Sequence, residues 1–287
     1  MKRVFFPNEE WAYFKIFCNI RDSDNVLINS VYKIAYKLKK MNLISKWFYI
    51  RYFEEDYHLR IRFKCITAEN NYLVYKYFCE QIQSYVSNGI IWKIQLDTYF
   101  REMERYGDEE GIEFVESLFE YDSVAIIKIL TTLNNDIHEE DRWKYGILLL
   151  DFYSNLFNYK IETRVEIFND LFRRFIPENA KFKSVADQIK RKYYENKDEI
   201  STILSTNNDL TKISELNVKE FTSQIQSIKN LNHMTDTILR NMFESIVHMS
   251  INRLFRNNQN KYETILYSLI FYGYMEKLKH SVSHMKK

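Results

Sequence analysis

Residues 46–65 read KWFYIRYFEEDYHLRIRFKC, and this stretch decides the fold of the N-terminal part of the chain. Its first eight residues, Lys46 to Phe53, are aromatic and β-branched, which favours a strand. After the polar break at 54–57, residues 58–65 alternate strictly in polarity, which predicts a second strand and a hairpin. One face of that second strand carries Leu59, Ile61, Phe63 and Cys65, and the other carries His58, Arg60, Arg62 and Lys64.

Helical patterns flank this hairpin on both sides. Apolar spacing predicts helices at 26–41 and about 71–86, and Ile90 to Phe100 is a third strand candidate. After Gly107 the pattern is helical, with segments at about 111–120, 122–134, 139–158, 161–175, 184–205, 212–230, 234–256 and 259–280. The sequence therefore predicts an α+β fold, an N-terminal antiparallel or mixed sheet packed with helices, followed by a mostly helical C-terminal two-thirds. We expect one domain over residues 1–287, sheet-bearing to about residue 107 and helical from 108 onward.

Composition excludes several classes of protein. The 287 residues are 46% hydrophobic and 16% aromatic with five Gly and two Pro, which is typical of a compact helical protein. The formal charge of +2 comes from interspersed charges, so we expect no direct nucleic-acid binding. Apolar stretches are too short for membrane insertion. The N-terminal residues do not predict a signal peptide, and three widely spaced cysteines predict reduced thiols rather than disulfides or a zinc site, so we expect a cytoplasmic protein.

Two arginines on the second strand, Arg60 and Arg62, are the first candidate site residues. They share a face of the strand, with roughly 6–7 Å between their Cα atoms. Guanidinium groups at this spacing form a fork for a carboxylate or a developing oxyanion, because arginine stays charged and binds bidentately. The alternative is a solvated outer face of an antiparallel strand, which is a common arrangement. The pattern alone does not exclude that alternative.

Glu102 and Arg105, in the segment EMERYG, are three residues apart. A carboxylate and an arginine at this spacing often form a simple surface ion pair worth about 0.2–0.5 kcal/mol. His248 lies on a predicted helix, within a polar column made of Asn241, Glu244, Ser245, His248 and Asn252. A single histidine is usually structural, but this column provides partners that can set its tautomer and its pKa. The sequence has no HExxH, GxGxxG, GxxxxGK[ST] or GxSxG motif, so we expect no metal and no cofactor.

These motifs occur together in a characteristic order. The ordered set resembles the C-terminal domain of lantibiotic dehydratases over about residues 11–275. The segments that carry the resemblance are Trp11 with Tyr13 to Lys15, WFYIRY ending at Tyr52, HLRIRF at 58–63, YFREMERYG at 99–107, Glu116 to Phe119 with Asp122 and Ser123, and the His248 segment closing in Asn252, Arg253 and Leu254.

The resemblance implies a reaction. Full-length members of the family have an N-terminal part that transfers glutamate from glutamyl-tRNA to Ser/Thr of a precursor peptide. Their C-terminal part then eliminates glutamate, leaving dehydroalanine or dehydrobutyrine. This chain is similar to the second part alone, as in split dehydratases of thiopeptide-type pathways. The implied enzyme is a β-elimination lyase that needs a glutamylated precursor peptide and a separate glutamylating subunit, with tRNA as that subunit's ligand. A homodimer is left open.

By motif, the resemblance carries the elimination residues over to Arg60, Arg62, Glu102, Arg105 and His248. The arginines would stabilise the incipient enolate or hold the glutamyl carboxylates, since such charge stabilisation contributes a factor of about 10²–10³ per donor. His248 is suited to proton transfer, which contributes about 10²–10⁴-fold, whereas Glu102 would orient Arg105 or act as the base. The sequence does not rank these last two roles.

Some positions depart from the family pattern. Asp108 stands where a second Gly usually follows RYG, Ser250 stands where a second His is common, and the hairpin turn has no proline. Two alternative functions stay open. The first is a pyridine-forming cycloaddition enzyme of a thiopeptide pathway, which resembles the same domain. The second is a non-catalytic peptide-binding subunit.

Overall fold

The computed structural model describes residues 2–133, 141–174, 181–205 and 218–285. The chain divides into two compact units, Met1–Asn134 with Ser227–Asn257, and Asn135–Gln226 with Asn258–Lys287. Among the described residues every strand lies before residue 107, but some helices beyond that point belong with the sheet in the first unit. That the whole chain acts as one elimination domain stays a prediction.

The strands form two antiparallel sheets in the first unit. The strands are β1 (Val4–Phe5), β2 (Trp11–Cys18), β3 (Ile44–Phe53), β4 (Tyr57–Cys65), β5 (Ile91–Leu96) and β6 (Tyr99–Phe100). The larger sheet has four strands in the order β3-β4-β2-β5, and β1 pairs with β6 in the smaller one. The predicted hairpin is confirmed as β3 and β4, with Phe53 opposite Tyr57.

Two features of the sheet differ from the sequence prediction. Strand β2, between β4 and β5, was not predicted, because a strand buried on both faces shows a nearly continuous apolar run instead of alternation. The third predicted strand is two strands, separated at Asp97 and Thr98 and paired in different sheets. The sheet is purely antiparallel within the described part of the chain.

Helices make up most of the rest of the described chain, which confirms the α+β class. A π-helical segment, Leu27–Val31, links the first two helices. A short 3₁₀ turn, Met103–Arg105, precedes the long helix that begins at Asp108. Two predicted helices before residue 134 are one continuous helix, α4. The helices are α1 (Ser23–Val26), α2 (Tyr32–Lys40), α3 (Asn70–Ser87), α4 (Asp108–Leu133), α5 (Arg142–Leu156), α6 (Ile161–Arg174), α7 (Lys181–Glu195), α8 (Lys197–Ser205), α9 (Val218–Lys229), α10 (Asp236–Leu254) and α11 (Gln259–Met285).

The main core of the first unit lies on one face of the four-stranded sheet. Leu59, Ile61 and Phe63 of β4 pack there with Phe14 of β2 and with apolar side chains of α2 and α3. The other face of β4 carries Arg60 and the remaining alternate residues. Helices α4 and α10 pack beside the edge strand β3. The sheet thus separates an apolar core from a face that carries polar and aromatic side chains.

The second unit is helical. Helix α11 packs against α5, α6, α7 and α8, and Phe168 contacts the rings of Tyr267 and Tyr274. The hydroxyl of Tyr274 donates to Asp151 at 2.7 Å, which gives both buried polar groups a partner. Among the helices described in either unit, none combines the length and the apolar character that crossing a membrane requires.

Candidate active site

The polar face of the four-stranded sheet carries both predicted arginines. Arg60 and Arg62 point to the same side of β4, as the alternation predicts, because directly opposed residues of antiparallel strands share a face. Arg62 is opposite Tyr13 of β2 and Phe48 of β3, and Arg60 is opposite Lys15 of β2 and Ile50 of β3.

Arg62 is buried without an opposite charge. Its side chain is 9% exposed, and its Cζ lies 4.4 Å from the ring centroid of Tyr13, 4.8 Å from that of Tyr99 and 5.4 Å from that of Phe48. Its Nε has no hydrogen-bond partner among the described residues, and no described carboxylate forms an ion pair with it. The rings contribute cation–π attraction, but a buried cation without an anion is energetically unfavourable. Arg62 can therefore bind an anionic group, which would supply the missing negative charge.

A hydrogen bond to a buried ion pair fixes the ring of Tyr99. Its hydroxyl donates to Oε1 of Glu116 at 3.0 Å, and Arg101 donates to both oxygens of the same carboxylate at 2.7 and 2.6 Å. The side chains of Glu116 and Arg101 are almost fully buried. Because such bidentate pairs hold their geometry, the aromatic wall beside Arg62 is rigid.

Arg60 has different surroundings. Its Nε donates to Nε2 of His58 at 3.1 Å, and its Cζ lies 3.4 Å from the ring centroid of Tyr52. Glu54, which is mostly exposed, approaches its Nη2 to 3.5 Å. The solvated-face interpretation of the two arginines is wrong, because Arg60 is only 17% exposed and Arg62 even less so. The reason is the aromatic cover from the neighbouring strands.

Glu102 and Arg105 form the predicted ion pair, with Nη1 2.8 Å from Oε2. Both side chains are partly exposed, at 61% and 44%, so the pair by itself contributes little to stability. Arg105 also donates from Nε to Oγ of Ser245 at 3.0 Å, which links the 3₁₀ turn to helix α10. The arginine is therefore held from two sides.

His248 lies on α10 between two anchored residues. Ser245, three residues before it, binds Arg105, and Asn252, four residues after it, binds the backbone of β3. Residues at these spacings share one face of a helix, so the half-buried His248 lies on the face that meets the 3₁₀ turn and the sheet edge. Ser245, His248 and Asn252 are thus spaced along one face of α10.

A chain of ring contacts connects Arg62 with the Glu102–Arg105 pair. Phe48, under Arg62, packs against Phe119 at 5.5 Å, and Phe119 packs against Tyr106 at 5.6 Å. Tyr106 directly follows Arg105. Burial raises the pKa of Tyr106 to about 12, and the positive charges of Arg105 and Arg62 oppose that rise. Arg62 thus lies at one end of this row of packed rings, and Tyr106, next to Arg105 in sequence, lies at the other.

Side chains of helices α4 and α10 bind the open edge of β3, a contact that the sequence patterns do not predict. The side-chain amide of Asn252 accepts from the backbone N–H of Arg51 and donates to its carbonyl, both at 2.9 Å. Arg253 donates from Nε to the carbonyl of Tyr49 at 2.7 Å, and Ser123 accepts from the N–H of Tyr49 at 3.3 Å. Side chains thus replace a missing neighbour strand and fix α10, which carries His248, against the sheet.

A buried ion pair completes this attachment. Arg253 donates from Nη1 to Asp122 at 3.0 Å, and both side chains are almost fully buried. Ser250, the residue at the position where a second His is common, donates to the same carboxylate at 2.8 Å. The sequence signal for this pair was charged residues within apolar helical runs, which are seldom buried unless paired. Ser250 is therefore structural in this chain.

The departure at Asp108 also has a structural explanation. Gly107 and Asp108 both have positive φ, 78° and 63°, at the start of α4. Glycine adopts this conformation without strain, and aspartate is one of the few other residues that tolerate it. Among the described residues, no three His, Cys, Asp or Glu side chains group as metal ligands would.

Known proteins match this chain over the same residues that carry the sequence motifs. The family model described as "Lantibiotic biosynthesis dehydratase C-term" matches residues 11–275. Nisin biosynthesis protein NisB of Lactococcus lactis subsp. lactis is 26% identical over 278 residues, which cover 93% of this chain and 26% of NisB. The chain thus spans about a quarter of the length of that relative.

Solved structures share the fold. The tRNA dependent lantibiotic dehydratase MibB from Microbispora sp. 107891 matches 96% of this chain with 29% of its own length, at a TM-score of 0.73 and 17% identity. The pyridine synthase TbtD from thiomuracin biosynthesis matches 91% of this chain with 97% of its length, at a TM-score of 0.64 and 10% identity. At these identities the likeness shows the fold alone.

Proposed function

Because the chain belongs to the lantibiotic biosynthesis dehydratase C-terminal family, we propose that it eliminates glutamate from glutamylated Ser/Thr side chains of a ribosomally made precursor peptide. The products are dehydroalanine and dehydrobutyrine, in a lanthipeptide or thiopeptide pathway. The observation that carries this proposal is Arg62, a buried guanidinium with no carboxylate partner among the described residues. An anionic substrate group supplies the missing partner.

The protein must remove one proton and stabilise two negative charges that develop in turn. A base removes the Cα proton of the glutamylated residue, the Cα–H electrons form the Cα=Cβ bond, and the Cβ–O bond breaks. Glutamate leaves with that oxygen as a carboxylate. Negative charge therefore develops first on the peptide carbonyl next to Cα and then on the departing group, and fixed positive charges stabilise both.

Arg60 and Arg62 are placed to stabilise different negative charges in this reaction. Arg62, enclosed by three rings, is the site for a glutamyl carboxylate, because a charge-assisted pair in such a low-dielectric setting is strong. Arg60 is already oriented by His58 and Tyr52, and it stabilises charge that appears only in the transition state. The near-neutral charge of the whole chain fits a local anion site rather than a nucleic-acid surface.

We assign the base to His248 and the orientation of Arg105 to Glu102. Glu102 already binds Arg105 at 2.8 Å and is mostly exposed, so it is placed to orient the guanidinium. His248 is half-buried on the helix face that Ser245 and Asn252 anchor, and imidazole is the side chain suited to proton transfer near neutral pH. Arg105 then stabilises the negative charge that develops beside His248.

This function requires a partner. Because the proposed elimination acts only on a peptide that already carries glutamate, we propose that a separate subunit glutamylates the peptide from glutamyl-tRNA and that this chain receives the glutamylated product. The tRNA is then a ligand of that subunit alone.

A second candidate is the pyridine-forming cycloaddition. The fold likeness to TbtD over nearly the full length of both chains favours it. That reaction expels no glutamate, so it gives no role to an anion site such as Arg62, and for this reason we rank elimination first. A non-catalytic peptide-binding subunit would leave the buried, unpaired guanidinium without a purpose.

The test uses a synthetic precursor peptide that carries glutamylated Ser, incubated with the full chain and followed by mass spectrometry. We expect release of glutamate with formation of dehydroalanine. Arg62→Gln and His248→Ala should each slow release by about 10²-fold or more, so that glutamylated peptide accumulates. Arg191→Gln, which changes an exposed arginine of the helical unit, is the matched control and should release glutamate at the normal rate.

Two outcomes contradict the proposal. One is an unchanged glutamylated peptide with the wild-type chain, together with cyclisation of a peptide that is already dehydrated, which would support cycloaddition. The other is equal activity of Arg62→Gln and Arg191→Gln, which would remove the anion site from the reaction.

A further inference from the structure

His58 is almost fully buried on the polar face of β4, at 1% exposure, although histidine is usually only partly buried. Its ring lies between its two cross-strand neighbours. The ring centroid of Phe17 on β2 is 4.8 Å away, and that of Tyr52 on β3 is 5.5 Å away. These contacts fix the ring plane, so the directions of both ring nitrogens are fixed as well.

Each ring nitrogen of His58 has one partner, and together they define the tautomer. Arg60 donates from Nε to Nε2 at 3.1 Å, and a guanidinium has only donors, so Nε2 must be the unprotonated nitrogen. Nδ1 lies 3.0 Å from the carbonyl of Asp56, which accepts only, so Nδ1 carries the hydrogen. The imidazole is therefore neutral and presents a lone pair to Arg60.

The same imidazole orients the guanidinium. The bond to Nε2 fixes the rotation of Arg60 about its Nε, and Tyr52 covers the guanidinium face with Cζ 3.4 Å from its ring centroid. The Nη2 group lies 3.5 Å from the exposed Glu54, a weak contact that a bound anion can displace. His58 thus uses the Nε donor and leaves the outer donors of Arg60 for a ligand.

We propose that His58 is a positioning residue whose neutral imidazole holds Arg60 in the orientation that the elimination reaction needs. This inference rests on the proposed function, but the His58–Arg60 contact can be tested separately from turnover. His58 does not touch the reacting atoms in this account. It acts through Arg60 alone.

The charges around His58 give the proposal a pH dependence. The titratable or charged groups that face it are Arg60 on its own strand, Lys15 on β2, Tyr52 on β3 and Glu54 in the hairpin turn. Burial lowers the pKa of His58, the two cations lower it further, and Glu54 and the Asp56 carbonyl oppose them. As pH falls through that lowered pKa, the imidazolium gains a hydrogen on Nε2, loses the bond to Arg60 and repels it.

The experiment compares two substitutions of different chemistry. His58→Phe keeps a ring between Phe17 and Tyr52 but removes the acceptor, whereas His58→Gln places an amide oxygen near the former Nε2 position. With glutamylated peptide, we expect His58→Phe to lower kcat/KM by about 10- to 100-fold, since misplacing a catalytic group costs about that much. His58→Gln should stay within about 3-fold of wild type, as expected when one neutral acceptor replaces another.

Two further readouts separate positioning from a merely structural role. In an Arg60→Ala background, His58→Phe should cause no additional loss. In His58→Gln, the part of the acidic limb of the kcat/KM profile that comes from imidazole protonation should disappear.

Equal losses in His58→Phe and His58→Gln, or an additional loss in the Arg60→Ala background, would overturn the proposal. If the wild-type chain releases no glutamate, the proposed function fails, and NMR of the arginine Nε–H groups still tests the contact. The Arg60 Nε–H signal should be protected from exchange in wild type and in His58→Gln, and unprotected in His58→Phe. A protected signal in His58→Phe would contradict the contact itself.

Discussion

Replacing Asp122 tests how helix α10 is held against the sheet. The carboxylate of Asp122 accepts from Arg253 at 3.0 Å and from Ser250 at 2.8 Å, and both charged side chains are at most 1% exposed. In Asp122→Ala, the guanidinium stays buried without its counter-ion and the serine hydroxyl loses its acceptor. Removing one partner of a buried ion pair destabilises a protein by about 3–5 kcal/mol.

Two milder variants separate the contribution of the Asp122 charge from that of the Ser250 hydrogen bond. Asp122→Asn keeps the size of the side chain and its hydrogen-bonding oxygen but removes the charge, so we expect a loss of about 1.5–3 kcal/mol. Ser250→Ala removes one neutral donor to the carboxylate and should cost about 1 kcal/mol. The expected order of stability is therefore wild type, Ser250→Ala, Asp122→Asn and Asp122→Ala, from highest to lowest.

The assay is urea unfolding followed by tryptophan fluorescence. Trp11, Trp47 and Trp92 lie in the sheet-bearing unit and Trp143 in the helical unit, so the signal reports mainly the unit that contains Asp122. Glu110→Gln is the matched control, because it neutralises an exposed carboxylate on the same helix. It should change the free energy of unfolding by at most about 0.5 kcal/mol. Equal stability of Asp122→Ala and Glu110→Gln would refute the structural role of the pair.

Two further predictions concern the start of α4. Gly107→Ala should destabilise the protein by about 1–3 kcal/mol in the same assay, because φ is +78° and a Cβ would lie 2.6 Å from a methionine side chain. Gly89→Ala, with φ of +71° and open space around the Cβ, is its control and should cost less; a reversed order would contradict this explanation. Partial burial works against ionisation of Glu113, but neighbouring Lys and Arg side chains hold its pKa at about 2, below the ordinary 4.5. The carboxylate therefore contributes stability above pH 4.5 that is lost as pH falls toward 2, and Glu113→Gln should flatten the dependence of Tm on pH in that range. An unchanged dependence would show that Glu113 has no part in acid unfolding.

Local patterns predicted the hairpin and the shared face of its arginines. Strict alternation in residues 58–65 is sufficient to place Arg60 and Arg62 together, because the side-chain period of a strand is two. It does not predict that Arg62 is buried. That depends on strand β2 and on Tyr99, which is 37 positions away in sequence. Burial by distant segments is not encoded in the strand's own pattern.

The attachment of α10 is a second case of long-range structure. Arg253 and Asp122 are 131 positions apart, and the amide of Asn252 binds a backbone 201 positions away. Each residue by itself looks like an ordinary polar helix residue. Only the resemblance to a family grouped these segments in advance, and it gave no role to Asp122, Asn252 or Arg253.

We propose that this chain expels glutamate from a glutamylated peptide. The most direct measurement follows free glutamate and the peptide mass together, over time, with the wild-type chain and a synthetic glutamylated precursor. Elimination predicts one glutamate released for each dehydro residue formed, at a rate that Arg62→Gln lowers and Arg191→Gln does not. A peptide that keeps its glutamate, or one that loses it and regains a free hydroxyl by hydrolysis, would contradict the claim.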